Sequence, residues 1–188
     1  MRSLTEQELR SVLEKLTVYV SSSVKELLTN LDGASSKPDR YVFRLSQGRV
    51  YYLRLSLANL ATSISRDNLL ACGTCLGRFT KSGKFRLHIT ALSIIAPLAR
   101  HKVFLRSNGV MPFLYGGHVA KAHTQRWPQD CHEYDGMIVF DSNEMPLGFG
   151  IAAKSSAAVQ RLGPAETVCI NQADCGQYLR DEETLFAA

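Results

Sequence analysis

The sequence predicts an α+β protein with two domains: helices packed on a small antiparallel sheet in the first half, and a small β-barrel in the second. In the first half, a helix with an N-terminal capping signal precedes β-rich runs that are separated by turn residues. Beyond Pro97 the pattern changes to short strands at regular spacing, separated by glycine and proline. With 188 residues and 45% hydrophobic content, the chain is long enough for two small cores. We therefore place the first domain at residues 1–95, the second at 96–180 and a C-terminal tail at 181–188.

The first element is a helix that begins at about Glu6. Thr5 and Glu8 have the spacing of a capping box, in which a hydroxyl and a carboxylate satisfy the first free N–H groups of a helix. Apolar residues then recur at helical spacing at Leu9, Val12, Leu13, Leu16, Tyr19 and Val20. We expect a break at Ser21–Ser23, after which Val24, Leu27 and Leu28 continue the pattern. A loop rich in glycine, proline and serine follows at residues 32–39.

The remainder of the first half is predicted as strands and one short helix. The runs at residues 41–45 and 49–53 read as a hairpin, because Ser46-Gln47-Gly48 between them supplies turn chemistry. A short helix is predicted at residues 57–64. A second strand pair is predicted at residues 69–76 and 85–90, joined by the loop 77–84.

The second half contains five predicted strands. They are Val103–Leu105, Phe113–Tyr115, Met137–Phe140, Leu147–Ala152 and Thr167–Ile170. Residues 119–123 are predicted as a helical turn. Short strands at this spacing favour a small barrel.

Charge is distributed unevenly along the chain. The net charge is only +5, yet the stretch from Asn68 to Gln129 carries nine Lys/Arg residues, four of the five histidines and no Asp or Glu. A long acid-free stretch can present a positive surface that attracts phosphate. For a stretch of this length, nucleic-acid contact is favoured over a solvated basic face without a partner.

Bulk features narrow the class of protein. No run of about 18 apolar residues is present, so no membrane contact is expected. The N-terminal residues include acids and lack an apolar core, which argues against a secretory signal. The five cysteines are an odd number, and a reducing compartment without disulfides is therefore expected.

Residues 148–155 nearly match the phosphate-binding loop of nucleotide hydrolases. The pattern requires glycine where this chain has Ala153, and the preceding apolar strand stands at hairpin distance with no helix between. We interpret the segment as two paired strands with Lys154 at the end of the second, facing phosphate without hydrolysing it.

Cys72 and Cys75 form a CxxC pair. A zinc site needs four ligands, and the sequence offers no second pair, although Cys131-His132 could converge with it. A redox role lacks the expected βαβ context. Two small half-buried residues are the favoured interpretation, with zinc and redox chemistry as alternatives. No nucleophile, acid–base pair or dinucleotide motif is recognisable, so no catalytic residue, cofactor or metal is expected.

The segment from Arg78 to Arg86 interleaves basic and aromatic residues. Single-stranded RNA is bound by stacking bases on rings while cations follow the backbone. Phe79 and Phe85 are more often core residues in such a pattern, whereas Lys81 and Lys84 are expected to be exposed.

Four segments resemble one family closely: Gly73–Leu92, Phe113–His123, Glu144–Ser155 and Gln172–Leu185. Together they are similar to the Nip-seven family, nucleolar factors for assembly of the large (60S) ribosomal subunit. The resemblance implies an N-terminal α/β domain followed by a PUA domain, a β pseudo-barrel that binds RNA. It further implies binding of precursor ribosomal RNA, a role in its processing without catalysis, contacts with the pre-60S particle and other assembly factors, and a place in the nucleus and nucleolus.

The resemblance also directs attention to an RNA-binding face. PUA domains bind RNA through a glycine-led helix–loop and a late strand, which correspond here to Gly116–Lys121 and to the strand ending at Lys154. We predict that Lys121 and Lys154 neutralise phosphate, with His118 and Arg161 secondary. On the first domain, the residues expected to extend the positive track or to bind a protein partner are Arg78, Lys81 and Lys84. We expect a monomer, and the alternatives are a subunit of an RNA-modifying enzyme and a protein-binding adaptor within pre-ribosomes.

Overall fold

The structure is a computed structural model that describes residues 1–29, 31–32, 39–65, 68–69 and 71–186. Contacts within the chain divide it into two compact units, Met1–Ala91 and Leu92–Ala187. Each unit contains one antiparallel or mixed sheet with short helices. The predicted α+β class is confirmed, and each unit is described by itself below.

The described residues of the first unit form six strands and three α-helices. In chain order these are β1 (Arg2–Ser3), α1 (Glu6–Val20), α2 (Val24–Thr29), β2 (Leu31–Asp32), β3 (Asp39–Ser46), β4 (Arg49–Arg54), α3 (Leu55–Ala61), β5 (Thr74–Phe79) and β6 (Phe85–Leu87). The sheet has the order β1-β3-β4-β5-β6, with β2 pairing β3, and all its ladders are antiparallel.

The predicted capping box at the start of α1 is confirmed. Thr5 Oγ1 accepts a hydrogen bond from the Glu8 N–H at 3.3 Å, and the Glu8 carboxylate accepts one from the Thr5 N–H at 2.8 Å. Arg2 Nη2 lies 2.6 Å from Glu8 Oε1, and these contacts lower the pKa of Glu8 to about 2. After α1, a single 3₁₀ turn at Ser21–Ser23 separates it from α2, so the predicted break is also confirmed.

The hairpin between β3 and β4 has the predicted turn. Gln47 and Gly48 both adopt positive φ, at 49° and 75°. A two-residue turn with this geometry matches the right-handed twist of its flanking strands. The predicted loop at 32–39 is wrong at its ends, because Asp32 pairs with Asp39 across β2 and β3. The remainder of that loop lies outside the described residues.

Three elements in the first unit have bounds that differ from the prediction, one of them being the strand predicted at 85–90, which is β6 and ends at Leu87. The strand predicted at 69–76 is β5, which begins later and continues to Phe79. The turn predicted to begin at Gly77 therefore begins only after Phe79, because Gly77 lies within the sheet. A side chain there would collide with the carbonyl of Arg86 on β6, so the glycine serves close strand approach rather than a turn. The helix predicted at 57–64 is α3, which begins and ends earlier.

Over the part of the second unit that the structure describes, there are also six strands, with five short α-helices. In chain order these are α4 (Leu92–Ile95), β7 (Lys102–Leu105), α5 (Ser107–Leu114), β8 (Val119–Ala120), β9 (Thr124–Arg126), β10 (Gly136–Phe140), β11 (Pro146–Ala152), α6 (Ser156–Val159), β12 (Thr167–Asp174), α7 (Gln177–Arg180) and α8 (Glu182–Phe186). Its sheet has the order β8-β12-β11-β10-β7-β9, and only the β7–β10 pair is parallel.

This sheet is nearly closed into a barrel. Its two edge strands, β8 and β9, follow one another along the chain with only a 3₁₀ turn at Lys121–His123 between them. The short connection forces the edges to curl toward each other. Buried side chains of β7, β8, β10 and β12, together with Phe113 of α5, fill the interior, among them Val103, Val119, Met137, Val139 and Val168. The predicted barrel is confirmed.

Several predicted elements in the second unit need correction. The strand predicted at Phe113–Tyr115 is wrong, because Phe113 lies in α5 and Tyr115 caps its C-terminus. The helical turn predicted at 119–123 begins as strand β8, and β9 was not predicted. The segment predicted as a C-terminal tail contains α8, where Leu185 is buried.

Within the described ranges, no helix combines the length and the apolar character that crossing a membrane would require.

Candidate nucleic-acid interface

A row of arginines crosses the sheet of the first unit. Arg78 on β5 lies opposite Arg49 on β4 and opposite Arg86 on β6, so the three side chains leave the same face of the sheet. Arg49 is buried, whereas Arg78 and Arg86 are exposed and form no ion pair with any described residue. Like charges on directly opposite positions destabilise a sheet. An external anion would relieve this repulsion.

The β5–β6 turn extends this basic surface. The Thr80 N–H donates to the Lys84 carbonyl at 2.9 Å, and the Lys84 N–H donates to Thr80 Oγ1 at 3.1 Å. Lys81 and Lys84 are exposed on this hydrogen-bonded turn, as predicted. Phe79 and Phe85 pack against each other with ring centroids 5.3 Å apart, and Phe85 is buried. The two rings therefore pack at the base of the turn, and the two lysines are exposed on the turn itself.

His88 lies beside the arginine row and is neutral at neutral pH. Burial, followed by the charges of Arg49 and Arg78, lowers its pKa to about 4. Its Nδ1 is buried and has no hydrogen-bond partner among the described residues. The histidine thus adds no charge to this surface at neutral pH.

In the second unit, Lys121 holds the end of a short helix. Its Nζ donates to the carbonyl of Gln160 at 2.9 Å and to that of Leu162 at 2.7 Å, just beyond α6. The side chain is half-buried by this arrangement. An ammonium has three donors, so one remains for a ligand. Lys121 therefore has a structural role that the sequence did not reveal, beside its predicted role in phosphate binding.

Lys154 and Arg161 flank the same helix. Lys154 precedes α6, and its Nζ lies 3.3 Å from Glu133 Oε1 in an exposed pair. Arg161 follows α6, is exposed, and has no charged partner among the described residues. Exposed ion pairs are weak, so a phosphate can replace Glu133 as the partner of Lys154 at little cost. Three of the predicted cations thus surround α6.

His118 lies at the other end of β8. Its Nδ1 accepts a hydrogen bond from the Asn171 N–H at 3.3 Å. The Asn171 amide in turn donates to the Gly117 carbonyl at 3.4 Å and to Asp174 Oδ2 at 3.1 Å. This network fixes the glycine-led loop on β12, with the His118 ring exposed.

A groove next to α6 contains residues that the sequence interpretation missed. It is lined by Arg106, Lys121, Thr124, Gln125, Trp127, Pro128, Gln129, Ser156, Ala157, Val159 and Gln160. Arg106 is exposed, and the Trp127 indole N–H is buried without an acceptor among the described residues. The half-buried Trp127 ring beside two cations suits stacking with a nucleobase attached to phosphate. The acid-free stretch contained Arg106 as a signal, but nothing in it distinguished Arg106 from its neighbours.

Arg126 is less available than its charge alone suggests. Its guanidinium lies 3.9 Å from the Phe104 ring centroid, and its Nη2 lies 3.3 Å from Glu144 Oε1. The ring contact engages the guanidinium within the second unit, whereas the exposed pair with Glu144 is as weak as that of Lys154.

The segment resembling a phosphate-binding loop is a strand. Residues 148–152 lie in β11, which pairs with β10 in an antiparallel hairpin and with β12 on its other side. The interpretation as two paired strands with Lys154 beyond the second is confirmed. Backbone groups engaged in these ladders cannot wrap a nucleotide phosphate.

The CxxC pair packs in the first unit. Cys72 and Cys75 are half-buried free thiols against a small core of Tyr51, Leu53 and Ala58. Cys75 Sγ lies 3.8 Å from the Gly77 carbonyl, and burial raises the pKa of its thiol. This placement agrees with the interpretation of the pair as small packing residues.

Comparison with known proteins places the chain in a family. The model described as "NIP7/UPF0113, pre-PUA domain" matches residues 1–89, and the model described as "UPF0113 PUA domain" matches residues 101–183. The chain belongs to the NIP7/UPF0113 family. It is 49% identical over 186 residues to the 60S ribosome subunit biogenesis protein NIP7 of Saccharomyces cerevisiae, with 99% of each chain covered. It is 44% identical over 185 residues to the NIP7 homolog of Xenopus laevis, with 98% of this chain and 99% of that protein covered.

Solved structures agree on the fold of this NIP7/UPF0113 chain. A PUA domain protein from Aeropyrum pernix superimposes with a TM-score of 0.57 at 15% identity, covering 97% of this chain and 90% of that one. A conserved PUA domain protein from Thermoplasma acidophilum gives a TM-score of 0.56 at 12% identity, covering 96% and 97% of the two chains. The resemblance inferred from the four sequence segments is therefore confirmed at the level of family and fold.

Proposed function

We propose that this protein is an RNA-binding assembly factor for the large ribosomal subunit, without catalytic activity of its own. The observation that carries the proposal is family membership along the whole chain, because relatives identical at 42–49% over 98–99% of this chain are named 60S ribosome subunit biogenesis proteins. The PUA match over residues 101–183 supports RNA as the ligand. We place its action on precursor ribosomal RNA within pre-60S particles, in the nucleus and nucleolus, as a monomer in contact with other assembly factors.

The charges on each unit support an RNA ligand. In the first unit, Arg78, Arg86, Lys81 and Lys84 are exposed around β5 and β6 without acidic partners among the described residues. In the second unit, Arg106 and Arg161 are exposed near α6, and Lys154 has only an exposed pair. RNA binding through such groups releases counterions and depends strongly on salt.

Charge reversal around α6 tests the second unit. We expect Lys154→Glu with Arg161→Glu to weaken binding of a single-stranded precursor ribosomal RNA fragment by at least about tenfold at moderate salt, since two phosphate contacts become repulsive. The slope of log affinity against log salt should fall by roughly 1.4, because each contact to single strands contributes about 0.7. Fluorescence anisotropy across a salt series measures both the affinity for RNA and its dependence on salt. Lys121 is left intact because its ammonium also holds α6.

A matched variant distinguishes a local effect from one of net charge. Arg10→Glu with Lys25→Glu makes the same change in net charge on exposed positions of α1 and α2. We expect this control variant to show the same slope of log affinity against log salt as the parent protein. Equal losses in both double variants would mean that RNA senses only overall charge, and unchanged affinity in the α6 variant would remove the RNA face from α6.

The first unit is tested in the same way. Lys81→Glu with Lys84→Glu changes two exposed cations of the β5–β6 turn. A reduced salt slope would support RNA contact by this turn. An unchanged slope, together with loss of the variant from pre-60S fractions on sucrose gradients, would show that this turn binds a protein partner instead.

A further inference from the structure

A cluster of metal-ligating side chains lies in the second unit, apart from the cations around α6. The ligand atoms of His101, Cys131 and Asp135 all lie within 4.8 Å of one another. His101 and Cys131 are 6% and 4% exposed, so the cluster is largely shielded from solvent. The sequence interpretation expected no metal and considered Cys131 only with the CxxC pair of the first unit.

One atom of the cluster lacks a partner. His101 Nε2 is buried and makes no hydrogen bond to any described residue, although Asp135 Oδ2 lies 3.4 Å away. A buried polar nitrogen without a hydrogen bond costs free energy. Because His101 Nε2 lies beside a thiol and a carboxylate, a bound cation would supply the partner that this nitrogen lacks.

The backbones of the three residues are fixed before any ligand arrives. The His101 carbonyl accepts from the Ile138 N–H on β10 at 3.0 Å, and the Asp135 carbonyl accepts from the Ala152 N–H on β11 at 2.8 Å. The Cys131 N–H donates to Ser156 Oγ at 3.1 Å. The ligands thus come from two segments, His101 before β7 and the loop that contains Cys131 and Asp135, and both are tied to the barrel or to α6.

We propose that His101, Cys131 and Asp135 form a structural site for a zinc-like divalent ion. Zinc takes nitrogen, thiolate and carboxylate ligands in tetrahedral sites, whereas magnesium and calcium prefer oxygen. With metal–ligand bonds of about 2.0–2.3 Å, tetrahedral donors lie roughly 3.5 Å apart, so the cluster needs to contract by only about 1 Å. Cys131 loses its thiol proton to solvent when the metal–sulfur bond forms.

A fourth ligand is within reach. His132 Nδ1 lies 3.6 Å from Asp135 Oδ2, and the His132 side chain is exposed and can turn. Either this imidazole or a water molecule completes the tetrahedron. Cys131 Sγ now lies 3.4 Å from the His132 carbonyl, a weak contact that a metal–sulfur bond would replace.

The ion would stiffen one wall of the groove beside α6. Trp127, Pro128 and Gln129 line that groove and lie two to four residues before Cys131 in the chain. Ser156 Oγ already donates to the Pro128 carbonyl at 2.7 Å. A metal bound to Cys131 and Asp135 adds a second anchor at the far end of the same loop.

Metal titration of the full-length protein, purified without a histidine tag, tests the site. We expect one equivalent of Zn²⁺ to bind and Co²⁺ to produce a thiolate-to-cobalt charge-transfer band with tetrahedral d–d bands. Cys131→Ser should abolish the charge-transfer band and weaken Zn²⁺ binding by at least about tenfold. Cys175→Ser is the matched control, because its half-buried thiol also lies near a carbonyl of the second unit, and it should bind as the parent does.

A second pair of measurements keeps the test decisive if Cys131→Ser is unstable. Asp135→Asn retains the size of the side chain and should lower the Zn²⁺-induced rise in Tm, whereas Glu133→Gln two residues away should not. Absence of stoichiometric Zn²⁺ binding by the parent would overturn the proposal. Binding that persists in both Cys131→Ser and Asp135→Asn would also overturn it, since the ion would then lie elsewhere.

Discussion

Arg180 Nη2 lies 2.9 Å from Asp174 Oδ2, and the Asp174 side chain is only 2% exposed. Asp174 Oδ1 also accepts from the Gly176 N–H at 2.9 Å, and Oδ2 accepts from the Asn171 amide. Arg180 further donates to the Leu114 carbonyl at the end of α5. One buried carboxylate therefore connects β12, α7 and the glycine-led loop that carries His118.

Removing this carboxylate should destabilise the protein strongly. We expect Asp174→Ala to lower the free energy of unfolding by about 3 kcal/mol, because Arg180 and two N–H donors lose their acceptor. Urea denaturation measures the change. Glu133→Ala breaks an exposed pair with Lys154 and should cost less than about 0.5 kcal/mol. Similar losses in the two variants would contradict the distinction between buried and exposed pairs.

Two lysines predicted to bind phosphate should differ in their effect on stability. Lys121→Met removes two hydrogen bonds to carbonyls and should cost about 1–2 kcal/mol, as measured by chemical denaturation. Lys154→Met removes only an exposed ion pair and should change stability by less than about 0.5 kcal/mol. If Lys121→Met is as stable as the parent, its ammonium does not hold α6 in solution.

The protein should be more stable when one charge is removed from the row of Arg49, Arg78 and Arg86. Arg86→Gln should raise the free energy of unfolding by about 0.2–1 kcal/mol at low salt, because Arg86 lies opposite Arg78. The gain should largely vanish near 1 M salt, where the screening length is about 3 Å. Affinity for RNA should fall in the same variant.

Arg10→Gln serves as the control for the arginine row. Arg10 lies one helical turn from Glu6 and from Glu14 on α1, so its removal should lower stability slightly rather than raise it. Chemical denaturation of Arg86→Gln and Arg10→Gln at low and high salt shows whether each change raises or lowers the free energy of unfolding. A loss of stability in Arg86→Gln would show that its charge is already compensated.

His88 should contribute to acid destabilisation. Its folded-state pKa lies at about 4, below the ordinary value of 6.5, because of burial and the nearby Arg49 and Arg78. As the pH falls, the unfolded chain takes up the proton first, and stability is therefore lost between about pH 6.5 and 4. His88→Gln should make the stability less dependent on pH in this window, as followed by urea denaturation at stepped pH.

The exposed His118 provides the comparison for His88. His118→Gln replaces an exposed imidazole that receives one hydrogen bond from Asn171. We expect the pH profile of its stability to keep the loss between about pH 6.5 and 4. An unaltered profile in His88→Gln would mean that the pKa of His88 is the same in the folded and the unfolded protein.

Elements with strong local signals could be predicted from the sequence. The Thr5–Glu8 capping box and the Gln47-Gly48 turn are determined by hydrogen bonds and backbone angles within a few residues. Strands such as β10 and β11 were found because continuous apolar runs between turn residues have few other solutions. Tertiary context has little influence on such segments.

Elements with competing signals could not be predicted from the sequence. The apolar run at Phe113–Tyr115 fits a strand or the end of a helix equally well by periodicity. Its helix α5 is set by packing, since Gly109 meets the His123 side chain and Phe113 fills the barrel. Gly77 was interpreted as a turn because the requirement for close approach of Arg86 is invisible without the partner strand.

The residues of the candidate sites also include some that the sequence predicts and some that it does not. Exposure of Lys81 and Lys84 follows from their local sequence, and it was predicted correctly. The structural role of Lys121 depends on carbonyls about 40 positions away, and the His101–Cys131–Asp135 cluster joins two segments about 30 positions apart. Contacts of this range arise from topology, which no single stretch of sequence encodes.

The short connection between β8 and β9 has a consequence for self-association. The exposed edge of a sheet can accept a strand from another molecule and so begin aggregation. Here Lys121–His123 ties the two edge strands together, and neither can leave the barrel without displacing the other. The turn that carries Lys121 therefore protects this barrel against strand exchange between copies of the protein.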